Sequence, residues 1–161
     1  KELKLGRPYL SSAADCDLMA DILMKRFAKD LAKKGTVIVL MGHGTPHHAA
    51  NAMYSQLQLS LDKKAPGRFA LGTVEAAPMI EDVIARLKHD KGVKTLVISP
   101  LMIVAGDHAN NDMAGADEDS WKTMFEAAGL TVNCQISGLG RIDAIHALYV
   151  AHTKAAIDAI A

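Results

Sequence analysis

The chain has 161 residues, half of them apolar, which suits one globular domain of ordinary size with a substantial core. Eighteen basic and eighteen acidic side chains cancel, so the basic excess of a nucleic-acid binder is absent. No apolar run approaches the ~20 residues of a membrane-spanning helix, and neither a nucleic acid nor a membrane is expected as a partner. Cys16 and Cys134 are far apart and in no metal-type spacing, and two free thiols fit them better than a disulfide. The opening KELKLGRPYL reads as the interior of a longer sequence.

The first element is a helix. SSAAD offers Ser or Asp as its N-cap, and Leu18, Ile22, Leu23, Phe27 and Leu31 form its apolar stripe. KKG closes it, with cations in the last turn and Gly35 after them. TVIVLMG is too short and too β-branched for a helix and reads as a strand buried on both faces. A second helix is predicted over residues 47–63 and a second strand over 69–75. PMIEDVIARLKHDKG gives a helix with Pro78 near its first turn, and VKTLVISP a third buried strand. DSWKTMFEAAG, LTVNCQIS and RIDAIHALYVAHTKAAIDAI follow as helix, strand and a final amphipathic helix. Such alternation means right-handed βαβ units on a four-stranded parallel sheet, an α/β layer of flavodoxin-like or Rossmann-like type. Ligands of these folds bind beyond the carboxyl ends of the strands.

Chemistry-bearing residues fall at that edge. MGHGTPHHAA places His43 just past the first strand, TVEAAP places Glu75 at the end of the second, and AGDHANND places Asp107 and His108 past the third. If the three strands are near neighbours, two imidazoles and a carboxylate can converge on a divalent first-row ion and leave coordination positions open. Spacing alone leaves two readings standing. A histidine after a strand also serves as a hydrogen-bonded loop residue, and Glu75 could complement a helix N-terminus. His47 and His48 suit a helix start, and His89 a solvated helix face. His146 and His152, six residues apart on the last helix, suit packing or surface roles.

The strings themselves carry a resemblance. MGHGTPHHA, TVE, PLMIVAGDHANNDMAGADEDSWK and ISGLG resemble the anaerobic cobalt chelatases of the CbiK type, the sirohydrochlorin cobaltochelatases, which are relatives of the ferrochelatases. The similarity runs from about Lys4 to the last helix. It implies a three-layer flavodoxin/Rossmann-like domain that is one half of a two-domain chelatase fold. Residues 1–12 would be the tail of an N-terminal half and residues 13–161 the C-terminal half.

The function implied is insertion of Co(II) into the tetrapyrrole sirohydrochlorin in cobalamin biosynthesis. Iron insertion and a non-catalytic metal- or tetrapyrrole-binding module are the alternatives. The implied metal set is His43, Glu75 and His108, with His43 and Glu75 catalytic and Asp107, Asn111 and Asp112 supporting them. The metal is a substrate (cobalt, with iron and nickel open), and no organic cofactor is implied. The partners implied are the tetrapyrrole and either the N-terminal half of the same enzyme or a second copy. Lys4, Arg7 and Arg141 are candidates for the macrocycle's carboxylates. A cytoplasmic address is expected, or a periplasmic one if an export signal lies upstream. Two departures from the family pattern stand out. Ala76 and Ala77 replace an aromatic that often follows the acidic residue, and the interval from His43 to Glu75 is lengthened by KKAPG.

Overall fold

The computed structural model describes residues 3–160. Lys1, Glu2 and Ala161, at the ends of the expected 1–12 and 13–161 divisions, lie outside the described residues. Residues 3–12 run without regular structure, with Tyr9 and Leu10 half-buried. Helix α1 (Ala13–Arg26) starts where Ser12, in extended conformation, accepts the Asp15 N–H with its side chain.

The single first helix expected from the apolar stripe is in fact two. The chain kinks at the fully buried Phe27 before a one-turn helix α2 (Ala28–Leu31). Leu18, assigned to the stripe, is 46% exposed. The buried face of α1 is Cys16, Met19, Ala20 and Leu23, and Leu18 lies ~200° around the helix from Cys16.

Strand β1 (Thr36–Gly42) is buried at every position, as its unbroken apolar run requires. Helix α3 (Ala52–Lys64) begins later than predicted, after a 3-10 turn at Ala49–Asn51 opened by His48. Strand β2 (Phe69–Thr73) stops two residues short of the predicted end, so Glu75 sits in a turn and not in the strand. Helix α4 (Ile80–Lys88), strand β3 (Thr95–Pro100), helix α5 (Trp121–Ala127), strand β4 (Thr131–Cys134) and helix α6 (Asp143–Asp158) complete the alternation. Pro78 lies just ahead of the first turn of α4, as expected, and the Met79 N–H is taken by the Asp82 carboxylate.

All strands are parallel, in the order β2-β1-β3-β4. Helices α1, α3 and α6 pack with Ile38, Leu40, Phe69, Leu71 and Val97 on one face. On the other, α4, α5 and a π-helical turn at Ala109–Met113 pack with Val37, Val39, Met41, Leu96 and Ile98. Strands β1, β2 and β3 therefore feed alternate residues to two cores, whereas β4 gives Val132 and Cys134 to the second alone; helices on both faces of one sheet make the three-layer arrangement. The chain leaves β1 toward β2 across one face and returns to β3 across the other. The topological switch point lies between β1 and β3, where such sheets open a crevice. Cys16 and Cys134 are both free thiols. Among the described residues no helix is long and apolar enough to cross a membrane.

Candidate metal centre

The switch point is where the histidines converge. In the sheet register Gly42 ends β1 beside Thr73 of β2, and Met41 lies beside Pro100 of β3. His43 is one residue past its strand and Glu75 two past its own. Their backbones are joined directly, because the His43 carbonyl accepts the N–H groups of Val74 (3.1 Å) and Glu75 (2.9 Å). His108 stands at the head of the π-helical turn, a helix irregularity common at functional sites. The three side chains meet: one ligand atom from each of His43, Glu75 and His108 lies within 4.8 Å of the others. The two imidazole rings stand edge to face with centroids 4.8 Å apart, and the nearer Glu75 oxygen is 3.6 Å from His43 Nδ1. All three are partly open to solvent, with side-chain exposures of 48%, 44% and 34% for His43, Glu75 and His108.

Hydrogen bonds set the tautomers. His43 Nδ1 donates to the Gly44 carbonyl at 2.9 Å. His108 Nδ1 donates to the Asp112 carboxylate one turn on. In each ring the proton is held at Nδ1 and the Nε2 lone pair is left for an ion. The carboxylate behind His108 also makes that imidazole a better donor to metal. Asp112 therefore supports His108. It does not cap the following helix, whose N-cap is Ser120. Asn111 donates to Asp107 at 2.7 Å, which braces the loop that carries His108.

The loop bearing His43 is built around glycine. A Cβ on Gly42 would fall 2.5 Å from the Tyr54 ring, and one on Gly44 2.6 Å from Thr73 Oγ1; Gly44 also has φ +79°. Tyr54, from the first turn of α3, packs across Gly42, and its hydroxyl accepts the Gly44 N–H at 3.2 Å. Thr73 closes the Glu75 turn through both the N–H and the carbonyl of Ala76. Asn51 does the same for the His43 loop by bridging the N–H and carbonyl of Thr45. Sequence reasoning missed Tyr54, Thr73 and Asn51, because each acts through a backbone that only the tertiary fold brings near.

The other histidines stand apart from this group. His47 and His89 are exposed. His48 accepts the Ala50 N–H through Nδ1 and so opens the 3-10 turn. His146 donates to the Gly140 carbonyl. His152, buried, donates from Nδ1 to the Arg7 carbonyl and places Nε2 3.3 Å from Asp15. KKAPG falls at the amino end of β2, across the sheet from the metal group, so the added length does not displace Glu75.

The chain is similar to known proteins. The model of the cobalt chelatase (CbiK) family matches residues 1–158. Sirohydrochlorin cobaltochelatase of Salmonella typhimurium is 40% identical over 156 residues, which is 97% of this chain and 57% of that protein. Sirohydrochlorin cobaltochelatase CbiKC of Nitratidesulfovibrio vulgaris is 30% identical over 156 residues, 97% of this chain and 54% of that protein. The chain thus spans about half the length of these curated relatives.

Two solved structures share the fold at low identity. A CbiX protein of Marinobacter aquaeolei VT8, assigned to cobalamin (vitamin B12) biosynthesis, superposes with a TM-score of 0.57 and 18% identity over 76% of this chain and 95% of that one. SirB from Bacillus subtilis, solved with Fe3+, gives a TM-score of 0.61 and 14% identity over 94% of this chain and 56% of that one. A parallel sheet that gathers two histidines and a glutamate at its switch point, matched over nearly every residue by one family, leaves a single assignment: the chain belongs to the cobalt chelatase (CbiK) family.

Proposed function

We propose that the protein inserts Co(II) into sirohydrochlorin, with His43, Glu75 and His108 holding the ion as it is delivered. The observation that carries this reading is the convergence of those three side chains within 4.8 Å at the sheet edge. The family membership and the names of the curated relatives support the choice of substrate. Two neutral imidazoles and one carboxylate suit a divalent first-row ion and leave positions open for the incoming macrocycle.

Insertion requires that the ion lose water, that two pyrrole N–H bonds break, and that the metal lie over the ring. The macrocycle gains a dication and sheds two protons, so charge balances. The histidines replace water on the ion through Nε2. Glu75, half-exposed and the hardest donor of the set, accepts the first pyrrole proton as it releases the metal. His43, whose Nδ1 is 3.6 Å from that carboxylate, takes the second at Nε2 once the ion has left that nitrogen. Asp112 keeps its hydrogen bond to His108 throughout and holds that ring in its metal-binding tautomer. Contact between a held ion and a held macrocycle supplies much of the acceleration.

The same proposal includes a second α/β half as the opposite wall of the cleft, supplied by the same polypeptide or by another copy. The relatives' greater length and the open face of the metal group support it. Residence in the cytoplasm fits the two free thiols.

The test is the visible spectrum of sirohydrochlorin mixed with protein and Co(II). Metallation faster than the protein-free rate, abolished by His108→Ala, supports the proposal. A shifted spectrum without acceleration makes the protein a binding module instead. Parallel runs with anaerobic Fe(II) rank the two metals.

A further inference from the structure

The loops at the carboxyl edge of the sheet are electrically lopsided. Residues 43–51, 74–79, 101–120 and 135–142 leave the ends of the four strands, and they contain six carboxylates, Glu75 among them. In the same four loops Arg141 is the one Lys or Arg. All six acids lie in the loops after β2 and β3, whereas Arg141 follows β4. An edge so charged draws in a cation, repels a polyanion at the loops after β2 and β3, and is least hostile to one on the β4 side.

Arg141 lines a cavity of about 370 Å³ together with Val104, Ala105, Ile136 and Ser137. Val104 is 71% exposed and Ile136 46%, so the cavity has two apolar lining residues that face solvent. Their loops do not yield freely. The Leu139 N–H donates to the Met102 carbonyl (2.8 Å) and the Gly140 N–H to the Ile103 carbonyl (2.9 Å). Leu139 is buried in the core, and a Cβ on Gly138 would fall 2.3 Å from the Ile103 oxygen. Apolar side chains exposed on a pinned backbone, beside one guanidinium, form a site for a flat apolar body with an anionic rim. The cavity wall reaches Ala105, three residues before His108, so such a body would extend toward the metal group. Arg7, another cation considered for the anion, is instead committed to the Asp15–His152 cluster, 4.0 Å from Asp15.

We propose that this cavity is the subsite for one rim of the tetrapyrrole, with Val104 and Ile136 against the ring edge and Arg141 paired to the carboxylate that edge carries. The subsite rests on the chelatase reading above and adds an orientation to it. The macrocycle's anchored carboxylate lies on the β4 side, away from the acidic loops after β2 and β3. Arg141 pairs as a fork, so lysine is a poor replacement.

The test uses the natural full-length protein, with sirohydrochlorin titrated by its visible absorption and Co(II) titrated separately. Arg141→Gln is expected to weaken sirohydrochlorin binding and raise its KM about tenfold, the loss of one charge-assisted pair. Arg141→Lys should fall between the two, and Val104→Asp, at an exposed position, should weaken binding comparably. None of the three should alter Co(II) binding in the absence of the macrocycle. If Arg141→Gln and Val104→Asp both bind sirohydrochlorin as the wild type does, the subsite is overturned. If the wild type binds sirohydrochlorin without metallating it, the chelatase reading falls while the binding comparison still decides the subsite. If the wild type binds no sirohydrochlorin, both fall.

Discussion

His43 owes its position to residues that never touch an ion. Gly42 lets the Tyr54 ring pass, Gly44 turns the chain, and the Tyr54 hydroxyl takes the Gly44 N–H. Tyr54→Phe keeps the ring and loses only that hydrogen bond. It is expected to cost about 1 kcal/mol of stability and to weaken Co(II) binding several-fold, read by thermal unfolding and by metal titration of the same sample. Asp112→Asn attacks the other histidine. The amide no longer enforces the Nδ1–H tautomer, so Co(II) affinity should fall ~10- to 100-fold with little change in unfolding temperature, since both side chains are partly exposed. Equal affinity in either variant would show that the loops hold the histidines without these partners. The sequence carried the candidate ligands but not their supports. A histidine between two glycines past a buried strand announces itself, whereas Tyr54 lies a helix turn into the next element and acts only once α3 packs against β1.

The elements are held together at two places that matter beyond the site. At the first, the segment before α1 is clasped to α6. His152 of α6 bonds the Arg7 carbonyl and faces Asp15 of α1, and Tyr9 packs on Tyr149 with ring centroids 5.8 Å apart. Burial opposes ionisation of Asp15, but hydrogen bonds from Ser11 and Ser12 and the charge of His152 outweigh it, so its carboxyl sits below the usual value. A carboxyl depressed in the folded state contributes stability that is complete above its unfolded value of ~4 and is lost as pH falls through the folded value. Asp15→Asn should therefore cost about 3 kcal/mol at neutral pH and flatten the loss of stability below about pH 4. Denaturant melts across that range check both, and a variant whose melts follow the wild type at every pH would contradict the clasp.

At the second place, Gln58 of α3 guards the open edge of β2. Its amide donates to the Phe69 carbonyl (3.1 Å) and accepts the Leu71 N–H (2.9 Å), as a neighbouring strand would. Gln58→Leu is expected to destabilise by about 2 kcal/mol and to raise turbidity on heating. Turbidity and melting unchanged from wild type would leave Gln58 without that role. Neither device was legible beforehand. Periodicity finds the faces of a helix but not which long-range partner completes a cap or an edge. The kink at Phe27 escaped for the same reason, since the apolar spacing ran through it unbroken.

At the scale of the whole molecule, the order β2-β1-β3-β4 turns three separate sequence signals into one site. Alternating strands and helices were readable from hydrophobic runs, and the sheet-edge rule then placed His43, Glu75 and His108 on one side. Strand order was not readable from the runs, and it decides whether the three meet. With β1 between β2 and β3 they do. A group open on one side also needs something opposite it. The 161-residue chain alone is expected to metallate at a rate that rises more steeply than linearly with protein concentration wherever light scattering finds it monomeric, because a second copy must close the cleft. A strictly linear dependence in a monomeric sample would remove the need for the other half.

The central claim is that two imidazoles and one carboxylate share an ion, and diffraction from crystals grown with Co(II), collected at the cobalt edge, tests it most directly. The account predicts one strong anomalous peak ~2.0–2.2 Å from His43 Nε2, His108 Nε2 and a Glu75 oxygen. A peak held by other residues, or none at that sheet edge under saturating Co(II), would contradict it.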